Sequence, residues 1–314
     1  SLLGLLTHKN VSYPVGKVDF MRLQPVSFAE YLRATDAKLY ASYEMIDEVM
    51  TVPEVLHEQL TDAYIEYLPL GGMPEAVSAY LDSRQWSDVA TIQDGILQSY
   101  SLDFAKHISN KDIPRVFQVW ANLQDQLARE DKKFRYADIK QGARAREYEG
   151  AIEWLCLAGL VHRVSAVETP RLPLSAYKKS NAFKLYLNDV GLLCRKFGLD
   201  PRTAIQGSTM FTEFKGVLAE NYVLQSLVRQ FGNGQYYWTS GNTAEVEFIL
   251  QHEGEIIPIE VKANRNITAK SLALYRKTYS PRLAVRLSTL NMRKDNDLLN
   301  MPLYLVDKLK GFVG

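Results

Sequence analysis

Cysteine is scarce in these 314 residues: Cys156 and Cys194 are the only two, both among apolar neighbours. No C-x-x-C occurs, which argues against a disulfide framework. Histidine is scarce as well. The five (His8, His57, His107, His162 and His252) show no metal-ligand spacing. No apolar run reaches the ~20 residues that a bilayer-spanning helix needs. The opening SLLGLL has no basic segment before it, so it does not read as a signal peptide. Together with unpaired cysteines, this predicts a cytoplasmic setting. Excess charge is also missing. The net value is +1, so only the distribution of charge can indicate a polyanionic partner. Finally, there is no G-x-S-x-G and no G-x-x-x-x-G-K-[ST]. Gly16-Lys17 is followed by Val18, with no glycine five positions before Gly16, so ATP is not expected to bind these residues.

What is present reads as an ordinary globular chain, 46% apolar and 23% charged, long enough for two or three domains. Ser27 precedes FAEYL with Glu30 three residues on, a capping box that opens a helix. Residues 28–106 continue as successive amphipathic helices. In GGMPEAV (71–77), glycine ends one helix and Pro74 starts the next. Residues 114–187 run helix, short helix, turn, long helix and two strands, the order of a winged helix. Its groove-facing helix would start near Arg144. Arg144 and Arg146 are followed by Glu147, Glu149 and Glu153, which points to protein packing more than to phosphate contact. Beyond residue 206, strands and helices alternate, which predicts an α/β domain, with MPLYLV as its last strand.

Within that region, residues 212–231 form a helix by their three- and four-residue apolar spacing, and Glu220 shares a face with Leu224 and Leu227. A carboxylate beside a buried stripe is costly without a partner. Residues 245–262, EVEFILQHEGEIIPIEVK, then read as a hairpin turning at Glu253-Gly254. That turn sets Glu247 opposite Glu260 and Glu245 opposite Lys262. Like charges directly opposed are destabilising, and a divalent cation reverses the sign of that interaction. Carboxylate oxygens suit Mg²⁺ or Mn²⁺.

A helical Glu220, a strand Glu247, then Glu-x-Lys at 260–262 resembles the PD-(D/E)xK nuclease superfamily. More of the chain carries a resemblance. PVGKVDFMRLQPVSFAEYL, GGMPEAV, SLDFAKH, FKLYLNDVGLL, FKGVLAENYV, EVEFIL and PIEVKA, in this order, are similar to prokaryotic AAA-type ATPases with a C-terminal domain of unknown function 4143. In that family a P-loop core precedes the point where this chain starts. The chain also lacks an initiator Met, so a missing N-terminal part is expected. The resemblance implies three units: an ATPase tail and helical lid over 1–100, a winged-helix-like domain over 101–200, and a nuclease-like α/β/α domain over 206–314. It further implies Glu247, Glu260 and Lys262 as catalytic residues, with Glu220, Glu247 and Glu260 around Mg²⁺ or Mn²⁺. The family's strand acid is usually Asp, in EVDF. Glu247 is one methylene longer, and Mg²⁺ tolerates little departure from ~2.1 Å octahedral geometry.

Charge distribution adds a DNA partner to the expectations. From Lys262 to Lys294 there are nine Lys or Arg and no acid. Lys262, Arg265, Lys270, Arg276 and Lys277 are the phosphate contacts this predicts. The rival readings are a non-catalytic DNA- or protein-binding module and a regulatory part of an ATPase.

Overall fold

The structure, a computed structural model, describes residues 21–109, 111–202, 209–241, 244–263 and 269–314. Among these, twelve helices surround one mixed sheet of eight strands. Arg265 lies outside the described residues.

The first five helices are α1 (Phe28–Thr35), α2 (Ala37–Glu44), α3 (Glu54–Leu70), α4 (Pro74–Ser83) and α5 (Trp86–His107). The capping box at the start of α1 is complete: Ser27 Oγ accepts from the Glu30 N–H, and the Glu30 carboxylate accepts from the Ser27 N–H at 2.8 Å. Gly71 ends α3 at φ 67, a conformation open to glycine, and Pro74 occupies the first turn of α4. Gly71 is required for a second reason. A Cβ there would come 2.4 Å from Asp189 Oδ1. The Asp189 carboxylate accepts from the Gly72 N–H at 2.6 Å and from the Leu192 N–H at 2.9 Å. It therefore caps α9 (Val190–Lys196) and ties it to the α3–α4 corner.

Next come α6 (Ile113–Leu127), α7 (Tyr136–Ile139), α8 (Ala145–Leu157), β1 (Val161–Val167) and β2 (Lys178–Leu187), the element order anticipated for 114–187. Gly159, at φ 71, ends α8. β1 and β2 form an antiparallel hairpin, but it is not confined to this region. β1 also pairs in parallel with β3 (Tyr236–Thr239) through Ser165↔Tyr236, Ala166↔Tyr237 and Val167↔Trp238. The sheet order is β2-β1-β3-β4-β5-β6-β8-β7, so the hairpin extends the C-terminal sheet.

The remaining strands are β4 (Glu245–His252), β5 (Glu255–Lys262), β6 (Ala284–Ser288), β7 (Arg293–Asp295) and β8 (Leu298–Pro302). Two long helices flank the sheet. α10 (Thr209–Phe231) packs its Leu218, Leu224 and Leu227 with Phe248, Leu250, Ile257 and Ile259. α11 (Lys270–Tyr279) packs Leu272 and Tyr275 with Trp238, Val246 and Ile249 on the other face. Of the expected final strand MPLYLV, only Met301 and Pro302 are strand. β8 ends at Pro302, and Leu303–Lys308 wind into a 3₁₀ turn before α12 (Leu309–Val313). That turn is fixed by the start of the chain. Asp307 accepts from Ser226 Oγ of α10 at 2.7 Å and from the Ala29 N–H of α1 at 3.3 Å. Phe28 packs edge-on against Tyr43, Tyr64 and Tyr67 in the same core. Each such buried ring contributes about 1.5–3 kcal/mol.

Candidate carboxylate–lysine site

The hairpin forms in the expected register. Glu253 and Gly254 both have positive φ (48° and 80°), as a two-residue hairpin turn of the I′ kind requires. His252↔Glu255, Ile249↔Pro258 and Phe248↔Ile259 are the paired positions. The ladder stops at Phe248↔Ile259. On its other side β4 shifts register against β3 between Tyr236 and Trp238. A shift of this kind re-aims side chains. Here the Glu247 carboxylate enters the space past the last pair. One oxygen accepts from the Val261 N–H at 3.3 Å, and the other lies 3.6 Å from Lys262 Nζ. Glu260 Oε1 lies 2.6 Å from the same ammonium. Two carboxylates thus share one lysine. The second Glu260 oxygen is buried and has no hydrogen-bond partner.

Glu245 behaves differently. The expected pairing with Lys262 does not form, because the strands no longer pair there. Glu245 instead binds Lys184 of β2 and approaches Lys133 at 3.7 Å. Glu220 is also engaged. Its Oε1 is 3.1 Å from Lys132 Nζ, and its Oε2 accepts from the Tyr186 hydroxyl at 3.1 Å. The structure therefore brings Glu247, Glu260 and Lys262 together and ties Glu220 to other partners. Among the described residues, no group of three acid, His or Cys side chains is gathered closely enough to hold a metal by itself.

The electrostatics differ along the cluster. Burial raises the Glu247 carboxyl well above the usual carboxylate range, and the charges of Glu260 and then Glu220 push it further. At Glu220, burial acts in the same direction, but Lys132 and Lys184 outweigh it and hold the carboxyl below its ordinary value. Lys262 loses hydration by burial, yet Glu247 and Glu260 raise it, so its ammonium stays charged.

Lys132, Lys133, Lys184 and Tyr186 were not anticipated as part of this site. Lys184 did carry a signal. FKLYL is buried on both faces, and a lysine only 2% exposed inside such a strand requires an acid nearby. The run EDKK at 130–133 carried none.

The basic stretch is less free than its sequence suggests. Arg276 Nε donates to Asp297 at 2.8 Å, and Arg293 pairs with Asp295 at 2.9 Å. Arg286 donates to Asn300 at 2.9 Å. Lys270 and Lys277 are exposed on α11. Among the described residues, no helix is long and apolar enough to cross a membrane.

With this geometry in view, two family matches divide the chain. Residues 215–304, which hold every acid of the cluster and Lys262, match the family described as Domain of unknown function (DUF4143). Residues 61–203, which supply Lys132, Lys133, Lys184 and Tyr186, match Domain of unknown function (DUF8612). The chain is similar to two mycobacterial proteins, Uncharacterized protein Mb2031c of Mycobacterium bovis and Uncharacterized protein Rv2008c of Mycobacterium tuberculosis. Each is 25% identical over 197 residues, which is 61% of this chain and 41% of the relative. The chain thus spans well under half the length of those relatives. No solved structure matches.

Proposed function

We propose that residues 206–314 form a cation-dependent, nuclease-like module acting on DNA, and that residues 1–100 and 101–200 are an ATPase tail with its helical lid and a winged-helix-like unit linking the module to an ATPase core. The observation that carries this reading is the buried, unpartnered Glu260 oxygen beside Glu247, with Lys262 on both carboxylates. Two carboxylates that repel each other are drawn to a cation placed between them. Glu247 and Glu260 would hold Mg²⁺ or Mn²⁺. Magnesium is commonly bound by one or two carboxylates, completed by waters and substrate phosphate, so two protein acids suffice. When bound, the cation supplies Lewis acidity and lowers the pKa of a coordinated water.

The chain's own groups do the rest. Lys262, kept charged by two acids, orients the attacking water or stabilises negative charge on the phosphoryl oxygens. The Val261 N–H fixes the Glu247 carboxylate. Lys270 and Lys277 offer exposed charge for phosphates.

A second reading is favoured by the Lys132–Glu220 pair: a non-catalytic module that binds nucleic acid or protein, with its acids retained for folding. A cleavage assay separates the two. Single-stranded, duplex, branched and nicked DNA are incubated with Mg²⁺ or Mn²⁺ and either the wild type or Glu260→Gln. Cation-dependent cleavage by the wild type alone supports the nuclease-like reading. Binding without cleavage in every combination supports the second.

A further inference from the structure

We infer that Lys132 occupies the place of a second cation, so that the cluster takes one divalent ion, on Glu247 and Glu260, while Glu220 serves as a counter-ion to the lysine. This rests on the nuclease-like reading and adds a stoichiometry which that reading leaves open. Lys132 comes from the loop after α6, far along the chain from the acids. Its side chain is only 15% exposed and its ammonium is 3.1 Å from Glu220. Glu220 acts on it most strongly among the acids, followed by Glu247 and Glu245. One carboxylate, that of Glu220, is paired with the ammonium, and Glu247 and Glu245 add attraction from farther away.

The loop is built to hold it there. Lys132 has φ 50, in the left-handed region that non-glycine residues seldom adopt. Such strain persists only where neighbours impose it. The neighbours are present: the Phe134 N–H donates to the Phe183 carbonyl of β2 at 2.9 Å, and the Arg135 N–H donates to Gln126 Oε1 of α6 at 2.7 Å. The charges then balance. Glu220, Glu245, Glu247 and Glu260 meet Lys132, Lys133, Lys184 and Lys262. One divalent ion belongs at the end where two carboxylates, Glu247 and Glu260, share the single ammonium of Lys262. A second would have to expel Lys132.

The test counts Mn²⁺ ions on the full chain, by calorimetry and by the electron paramagnetic resonance of free Mn²⁺. The wild type and Lys132→Arg should bind one ion. Lys132→Met frees the acids around Glu220 and should bind two, the second more weakly. In Glu220→Gln, which does not depend on Lys132→Met folding, the single ion should keep its affinity within about threefold. A lost ligand or ligand-orienting group would cost on the order of 10–100-fold. Two ions on the wild type, one ion on a folded Lys132→Met, or a tenfold loss in Glu220→Gln each overturns the inference and leaves the cation site standing. No Mn²⁺ on any of these proteins removes the cation site, and the inference with it.

Discussion

The two ends of the carboxylate–lysine cluster contain similar groups arranged to opposite effect. At the Glu220 end every oxygen is satisfied: Lys132 takes one and the Tyr186 hydroxyl the other, with Lys184 nearby on Glu245. At the hairpin end two acids share one lysine, and an oxygen of Glu260 is buried without a partner. Both ends are desolvated, so burial alone does not distinguish them. The number of cations per acid does. A buried acid matched by ammonium groups is a structural element, and one left short of positive charge is a place for something to bind. The sequence motif makes Glu220, Glu247 and Glu260 equivalent members of a pattern, whereas the fold gives them different partners.

The sharpest break should appear in activity. Lys262→Ala should reduce DNA cleavage by at least about 10²-fold while the far-ultraviolet circular dichroism stays that of the wild type. Retained cleavage would mean that the hairpin end is as inert as the Glu220 end. The next effect is on stability. Lys184→Met leaves Glu245 short of a partner inside the fold and should destabilise by about 3–5 kcal/mol, read by urea unfolding. A loss below about 1 kcal/mol would place that pair among solvent-screened ones.

Glu247 should respond with the opposite sign. Its folded-state pKa is raised above the 4.5 of the free group. Folding is then disfavoured as pH rises from that value, because the folded state must ionise an acid that resists ionisation. Glu247→Gln should therefore stabilise by up to about 1 kcal/mol near neutral pH, with the gain vanishing as pH falls below 4.5. A stabilisation unchanged across that range would rule out repulsion between the two acids. The smallest effect concerns α11. Reversing Lys270 and Lys277 to Glu should weaken DNA binding and flatten its salt dependence by about two units of slope. Reversing Arg144 and Arg146, beside Glu147 and Glu149, should matter less. If the ranking is inverted, the DNA contact moves to α8.

The hairpin was legible because its information is local. Glu253-Gly254 fixes the turn, the turn fixes the register, and the register brings Glu247 towards Glu260. The helices over 28–106 and the order of elements over 114–187 were legible from caps and apolar spacing. Three things were not, each for a tertiary reason. The parallel pairing of β1 with β3 joins segments about 70 residues apart, and nothing in VHRVSAV specifies that partner. The Glu245–Lys262 pair was expected from a ladder that in fact stops at Phe248↔Ile259. The lysines that complete the cluster come from a different part of the chain, and a charged loop such as EDKK looks the same whether solvated or buried. The basic run from Lys262 to Lys294 misled in the reverse direction. Asp297 lies just past its end and folds back onto Arg276.

The central claim is that the hairpin end is short of one divalent cation, and thermal unfolding in Mn²⁺ near neutral pH tests it most directly. A ligand held only by the folded state at about a hundred times its Kd adds about 2.7 kcal/mol. The melting temperature of the wild type should rise with Mn²⁺ while that of Glu260→Gln stays fixed. Equal rises in both proteins, or none in either, would contradict a cation held between Glu247 and Glu260.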